Sequence, residues 1–125
     1  MATNASPRSL IVKITCGSEA AERSNQGWTV AAMGVAAGAA VTVWLTGEAV
    51  WFAVAGRQPD LALQHATPVA DLVEAVRESG LIMVCTQCAA RRNLGVADLV
   101  EGAAIAGAAS FVEAVLAPDV QALVY

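Results

Sequence analysis

TPVADLVEAVRESGLIMV, residues Thr67 to Val84, is the stretch that decides the fold. Thr67 is a capping residue, and Pro68 suits the first helical position, where its missing N–H costs nothing. Val69, Leu72, Val73 and Val76 then fall at i, i+3, i+4 and i+7, which makes one apolar stripe along a helix. Asp71, Glu74, Arg77 and Glu78 take the opposite face, and Gly80 ends the helix. Leu81 to Val84 follows at once, apolar at every position rather than at alternate ones. A continuous apolar strand fed by a helix is the pattern of a parallel sheet covered on both faces.

The same alternation runs outward from this unit. Upstream, Leu10 to Thr15 (LIVKIT) reads as a short strand bounded by Cys16-Gly17. Ser18 can cap a helix there, with Glu19 and Glu22 in its electropositive first turn, and that helix runs to about Ala37. Val41 to Thr46 is a second strand, Glu48 to Ala55 a short helix ended by Gly56, and Arg57 to Ala66 a loop. Downstream, Gly107 to Ala117 reads as a helix with Phe111, Val112, Val115 and Leu116 inward. Pro118-Asp119 breaks it, and Val120 to Tyr125 forms a last strand. Strands alternating with helices define a layered α/β domain with helices on both faces of a parallel sheet. Residues 10–125 make that single domain, and Met1 to Ser9, polar and small, is expected to be disordered or extended.

Trp28 to Gly47 is twenty residues without a charge and holds a GxxxG at Gly34 and Gly38, which imitates a membrane span. Its first half is Ala-rich at helical spacing, its second half is β-branched and aromatic, and Gly38 sits where a helix would stop. A buried helix followed by a buried strand accounts for it, so no membrane span is expected.

Over 125 residues, 57% are hydrophobic and only 14% charged, about half the usual ~25%. So little polar surface implies an oligomer, or a sheet covered on both faces. Net charge is −4 and the seven basic residues are scattered, which excludes a nucleic-acid surface. Three cysteines cannot form a complete disulfide framework, and the first nine residues hold no apolar signal segment. The reducing cytoplasm is the expected compartment, where a CxxC pair points to redox, sulfur or metal chemistry.

In an open parallel sheet, ligands gather beyond the carboxyl ends of the strands. Three stretches end there: Cys16 after the first strand, Thr46-Gly47-Glu48 after the second, and Cys85 after Leu81–Val84. Cys85 opens the motif CTQC at a strand-to-helix junction, where backbone N–H groups and the helix dipole favour a thiolate. Arg91 and Arg92 add positive charge one to two turns on, and the same features would hold an anionic persulfide or sulfonate. Cys88 completes the CxxC; such a pair cycles between dithiol and disulfide, or binds zinc when two further ligands exist. Here only Cys16 and His65 remain as candidates. The plain alternative is that Cys85 is a small buried hydrophobe. His65, the lone histidine, lies in a polar loop and reads as a surface residue. Glu48 and Asp60 have no evident partner, Trp44 reads as core, and Trp51 and Phe52 read as lining a pocket or a subunit interface. No dinucleotide fingerprint, Walker loop, nucleophile elbow or HExxH motif occurs.

These residues resemble the DsrE/DsrF-like sulfur-relay proteins. GAAVTVWLTGEAVWFA (Gly38 to Ala53) looks like the family's strand-plus-turn segment, LIMVCTQCAARR (Leu81 to Arg92) like its cysteine segment, and FVEAVLAPDVQALVY (Phe111 to Tyr125) like its terminal helix and strand. The resemblance implies a five-stranded, mainly parallel three-layer α/β/α domain that assembles as a homotrimer or homohexamer. It implies that Cys85 matches the sulfur-carrying cysteine, taking sulfane sulfur from a donor protein and passing it to an acceptor, with no organic cofactor. Arg91 would steady the anion, Thr46 and Gly47 would border the site, and Cys16 and Cys88 would be further thiols near it. Two departures stand out: Arg91-Arg92-Asn93-Leu94 delays the expected glycine to Gly95, and Cys16 occupies a position where relatives carry a small or polar residue. Two other readings compete, a dithiol redox protein using Cys85 and Cys88, and a non-catalytic oligomeric binding protein.

Overall fold

In the computed structural model, residues 7–125 are described. Five strands, β1 (Ser9–Ile14), β2 (Ala40–Leu45), β3 (Leu81–Cys85), β4 (Ala103–Ala106) and β5 (Val120–Val124), form one sheet in the order β4-β3-β2-β1-β5, every pair parallel. The helices are α1 (Ala21–Ala36), α2 (Val69–Ser79), α3 (Thr86–Arg91) and α4 (Ala108–Val115). The expectation for Met1 to Ser9 falls, for residues 1–6, outside the described residues; Ser9 itself opens β1.

The strand order decides how the layers fill. From β1 to β4 the chain steps one strand at a time in the same direction, and right-handed crossovers then put α1, α2 and α3 on one face. The connection from β4 to β5 returns across the whole sheet, so α4 alone lies on the other. Leu10, Val12 and Ile14, with Val41, Val43 and Leu45, feed the first face and pack on Trp28 and Ala31 of α1 and on the α2 stripe. Val69, Leu72, Val73 and Val76 are all buried, as their spacing predicts. Trp28 is fully buried and meets Phe52 edge to face, ring centroids 5.6 Å apart.

Several expectations need correction. Ser18 does not cap: it lies in a 3₁₀ turn, Ser18–Ala20, with Gly17 before it, and the Glu19 carboxylate accepts the Gly17 N–H at 2.6 Å. Pro68, not Thr67, stands at the N-cap of α2, with no side-chain cap bond. The short helix after β2 is 3₁₀ throughout, Gly47–Ala53, and it stops before Gly56 because Val54 turns extended and bridges Leu99. Phe52 is core rather than rim. β4 carries no strand signal in the sequence, since its AAIA is too Ala-rich to read as one. The inward set assigned to the last helix holds only in part: Phe111 and Val115 are half-buried and Phe111 packs on Trp44, but Val112 and Leu116 are 48% and 77% exposed, since this short helix lies alone on its face.

Candidate active site

The carboxyl ends of β1, β2 and β3 meet at one edge. There Gly47 has φ +55°, and a Cβ on it would lie 2.9 Å from the Thr15 carbonyl oxygen, so glycine alone fits the turn. The turn aims the Gly47 N–H across to α3, where it donates to Cys88 Sγ at 3.2 Å. Cys88 is buried in the first turn of α3, on the core side. Cys85 ends β3 at the N-cap of α3 and is half-buried on the α4 side.

Cys85 lines a cavity of about 60 Å³ with Lys13, Trp44, Thr46, Gly107 and Phe111. Register explains the company: Lys13 of β1 stands opposite Trp44 of β2, and Trp44 opposite Met83, two residues before Cys85, so these side chains share the α4 face. Lys13 Nζ sits 4.9 Å from the Phe111 ring centre, and Phe111 packs edge to face on Trp44 at 5.3 Å. Trp44 is only 4% exposed, and its Nε1 has no hydrogen-bond partner among the described residues.

Burial by itself would raise the Cys85 thiol, yet it is held below the ordinary thiol value of 9.0. Hydrogen bonding from the Cys88 N–H and thiol and from the Gln87 N–H, with the Lys13 charge, outweighs desolvation. Cys16 behaves oppositely: burial pushes its thiol up, against the pull of Arg23. It hydrogen-bonds to the Ala20 carbonyl at 3.9 Å and keeps to its own turn after β1, with β2 between that strand and β3.

Thr46, Gly47, Cys88 and Cys85 are therefore brought together. Arg91 lies exposed at the end of α3. The arginine that turns back is Arg92, which donates to the Cys88 carbonyl at 3.1 Å and to the Glu48 carboxylate at 2.8 and 3.0 Å. Glu48 is thus partnered, contrary to its solitary place in the sequence, and it also accepts from Trp51 Nε1 at 3.2 Å. That set holds the β2 turn to α3. His65 is exposed, beside a wider open groove of about 690 Å³ against Glu22, Asn25 and Gln26 that contains no thiol. Among the described residues, no three His, Cys, Asp or Glu side chains cluster closely enough to share a metal ion, and no helix is long and apolar enough to cross a membrane.

Lys13 was not singled out by sequence reasoning. The signal was present, since it is the one charge in an otherwise apolar strand run, LIVKI. Arg91 and Arg92 are equivalent in the sequence; only the geometry of the short α3 separates the two.

A parallel α/β domain with a half-buried cysteine at a strand's carboxyl end is the class these features define. The chain belongs to the DsrE/DsrF-like family, whose model matches residues 9–120. Its fold is that of the YchN protein from E. coli, at 18% sequence identity and a TM-score of 0.69, over 95% of this chain and 99% of the other. It is also that of MTH1491 from Methanobacterium thermoautotrophicum, a protein of unknown function, at 10% identity and a TM-score of 0.65 over the same shares. No curated protein matches the chain.

Proposed function

We propose that this protein is a sulfur carrier that accepts sulfane sulfur as a persulfide on Cys85 and hands it to a partner protein. The observation that carries the reading is the placement of Cys85: a half-buried thiol, held toward the thiolate, ending a strand at the site edge of the sheet. Family membership supports the same chemistry. The Cys85 thiolate attacks the outer sulfur of a donor persulfide, R–S–SH. The donor S–S bond breaks, a new S–S bond forms on Cys85, and R–S⁻ leaves. An acceptor thiolate then attacks the outer sulfur of Cys85–S–SH, which regenerates the Cys85 thiolate. Both steps conserve charge and need no external oxidant or cofactor. Donor and acceptor are proteins in the reducing cytoplasm, and the carrier works as a homotrimer or homohexamer.

Cys88 favours a second reading. Its thiol lies beside Cys85, so it can attack the inner sulfur of the persulfide, forming the Cys85–Cys88 disulfide and releasing hydrogen sulfide. Intact mass separates the two. After incubation with a persulfide donor the reduced protein should gain one sulfur, and Cys85→Ser should gain none while Cys88→Ser still does. Loss of two hydrogens, requiring both cysteines, would establish the dithiol reading. Sulfur uptake by Cys85→Ser equal to the wild type would refute the carrier.

A further inference from the structure

We propose, resting on the sulfur-carrier reading, that the face built on Arg57, Trp51, Arg91 and Arg92 docks an acidic segment of the protein that exchanges sulfur with Cys85. A continuous chain of contacts leads to this face from the thiol. The Cys88 thiol hydrogen-bonds to Cys85 and accepts the Gly47 N–H at 3.2 Å. Glu48 follows Gly47 and accepts from Arg92 at 2.8 and 3.0 Å and from Trp51 Nε1 at 3.2 Å. Arg57 lies over the Trp51 ring, its guanidinium carbon 4.3 Å from the ring centre. Arg91, beside Arg92, is exposed at the end of α3.

The charge balance of this face is the reverse of the chain's. Eleven acidic residues stand against seven basic ones overall, a net charge of −4. Three of those seven basic residues belong to this face, and its one carboxylate, Glu48, is occupied by Arg92. Among the described residues no carboxylate lies within ion-pair distance of Arg57 or Arg91. The acids of the flanking loops are engaged elsewhere. Asp60 accepts the Ala62 N–H at 3.0 Å, and Asp98 accepts the Gly95 N–H at 2.8 Å. Two guanidinium charges are thus left to meet an anion from outside, next to the turn that holds Cys88.

The side chains are also positioned before anything binds. Glu48 holds Arg92 and Trp51, and the Trp51 ring carries Arg57, so docking has less side-chain freedom to remove. Guanidinium forks pair with carboxylates through two parallel hydrogen bonds, and tryptophan and arginine are the usual anchors of an interface. Carboxylates of a partner protein therefore fit this face. A nucleic acid fits it less well. The half-buried Trp51 ring is covered by Arg57, which makes it a poor platform for stacking a base, and a chain of net charge −4 repels a run of phosphates.

Thiol–disulfide exchange on the intact, reduced protein tests the face without a sulfur donor. The probes are short peptides whose central cysteine is a pyridyl disulfide, flanked on both sides by glutamates or by lysines. The Cys85 thiolate attacks the peptide sulfur, a mixed disulfide forms, and pyridinethiolate leaves and is read by its absorbance. Mass mapping assigns the adduct to Cys85. The net charge alone favours the lysine peptide. The glutamate peptide should nonetheless react roughly fivefold faster or more, and this preference should vanish in salt of about 1 M, where screening leaves a range of about 3 Å. Arg57→Glu should abolish the preference, and Arg57→Lys should keep most of it. Uncharged dithiodipyridine should react alike with all three proteins. A wild type that prefers the lysine peptide would overturn the docking face. So would a preference that survives Arg57→Glu, since Lys13 would then carry it. Equal slowing of the uncharged probe by Arg57→Glu would overturn it too, since Arg57 would then only tune the thiol. A fluorescein-labelled RNA oligonucleotide that binds the wild type and not Arg57→Glu would replace the acidic segment by a nucleic acid. The expected preference, in a protein that gains no sulfur from a persulfide donor, would leave the acidic docking face standing and overturn the carrier reading.

Discussion

Three thiols in one small domain meet three environments, and their reactivity follows from which hydrogen bonds each receives. Cys85 collects N–H groups at the start of α3 and a lysine charge, while Cys16 has burial and one carbonyl contact. Alkylation by iodoacetamide should therefore modify Cys85 first, with a midpoint below 9.0, and Cys16 last, with a midpoint above it; peptide mass mapping across pH 6 to 10 (roughly the window thiols span) reads both. The linkage has a definite sign. Because the folded Cys85 value is depressed, its contribution to stability is present above the unfolded value and is lost as pH falls through the folded one. Gly47 is the residue that cannot change quietly. Gly47→Ala meets a left-handed φ of +55° and the Thr15 carbonyl oxygen at 2.9 Å. We expect a loss of about 1–2 kcal/mol from the backbone alone, seen as a lower thermal midpoint. The N–H that holds Cys88 would shift with it.

At the scale of elements, the two faces of the sheet are unequal, and the helices that look alike in sequence are not alike in energy. The α2 stripe is buried against β2 and β3, so Leu72→Ala should cost about 2–5 kcal/mol in denaturant unfolding. Leu116→Ala, just past α4 and 77% exposed, should stay within about 0.5 kcal/mol in the separated subunit. The link from the β2 turn to α3 runs through Glu48 and Arg92. The Arg92 guanidinium hydrogen-bonds to the Glu48 carboxyl and holds it below the usual 4.5. A depressed carboxylate stabilises above its unfolded value, and that contribution disappears as pH falls through the folded one. Arg92→Met should therefore flatten the acid side of the stability profile below about pH 4.5. The amplitude stays below about 1 kcal/mol, because Glu48 is half exposed and the pair is screened.

For the whole molecule, the strand order concentrates unused apolar surface on the α4 side. Val112, Leu116 and Val124 are exposed there and on the adjoining edge strand, in a chain that is only 14% charged. If this surface holds the proposed trimer or hexamer together, Val112→Glu with Leu116→Glu should reduce the mass seen by light scattering. The far-ultraviolet spectrum should not change, since neither side chain is part of the core. An unchanged mass would place the subunit contacts elsewhere.

How far the sequence reached depends on whether a feature is written in local order. The α2 stripe, the stop at Gly38, the parallel α/β class and Cys85 at a strand-to-helix junction were all legible, because periodicity, turn chemistry and CxxC spacing are properties of neighbouring residues. β4 was not legible, because a strand of three alanines and one isoleucine owes its structure to its partner β3 rather than to propensity. Phe111 of α4 does pack inward, but Val112 and Leu116 were misplaced for a related reason. A helical stripe says which side is apolar, not whether anything lies against it, and the return from β4 to β5 leaves that helix alone. The site divides in the same way. Sequence alone determined that a cysteine would stand at the carboxyl edge of a parallel sheet. Only the tertiary structure decided that Lys13 and Trp44 face it, that Arg92 rather than Arg91 turns back, and that Cys16 stays apart. Those facts depend on strand order, on register and on the geometry of α3, which bring together residues from three strands and a helix that no one segment encodes.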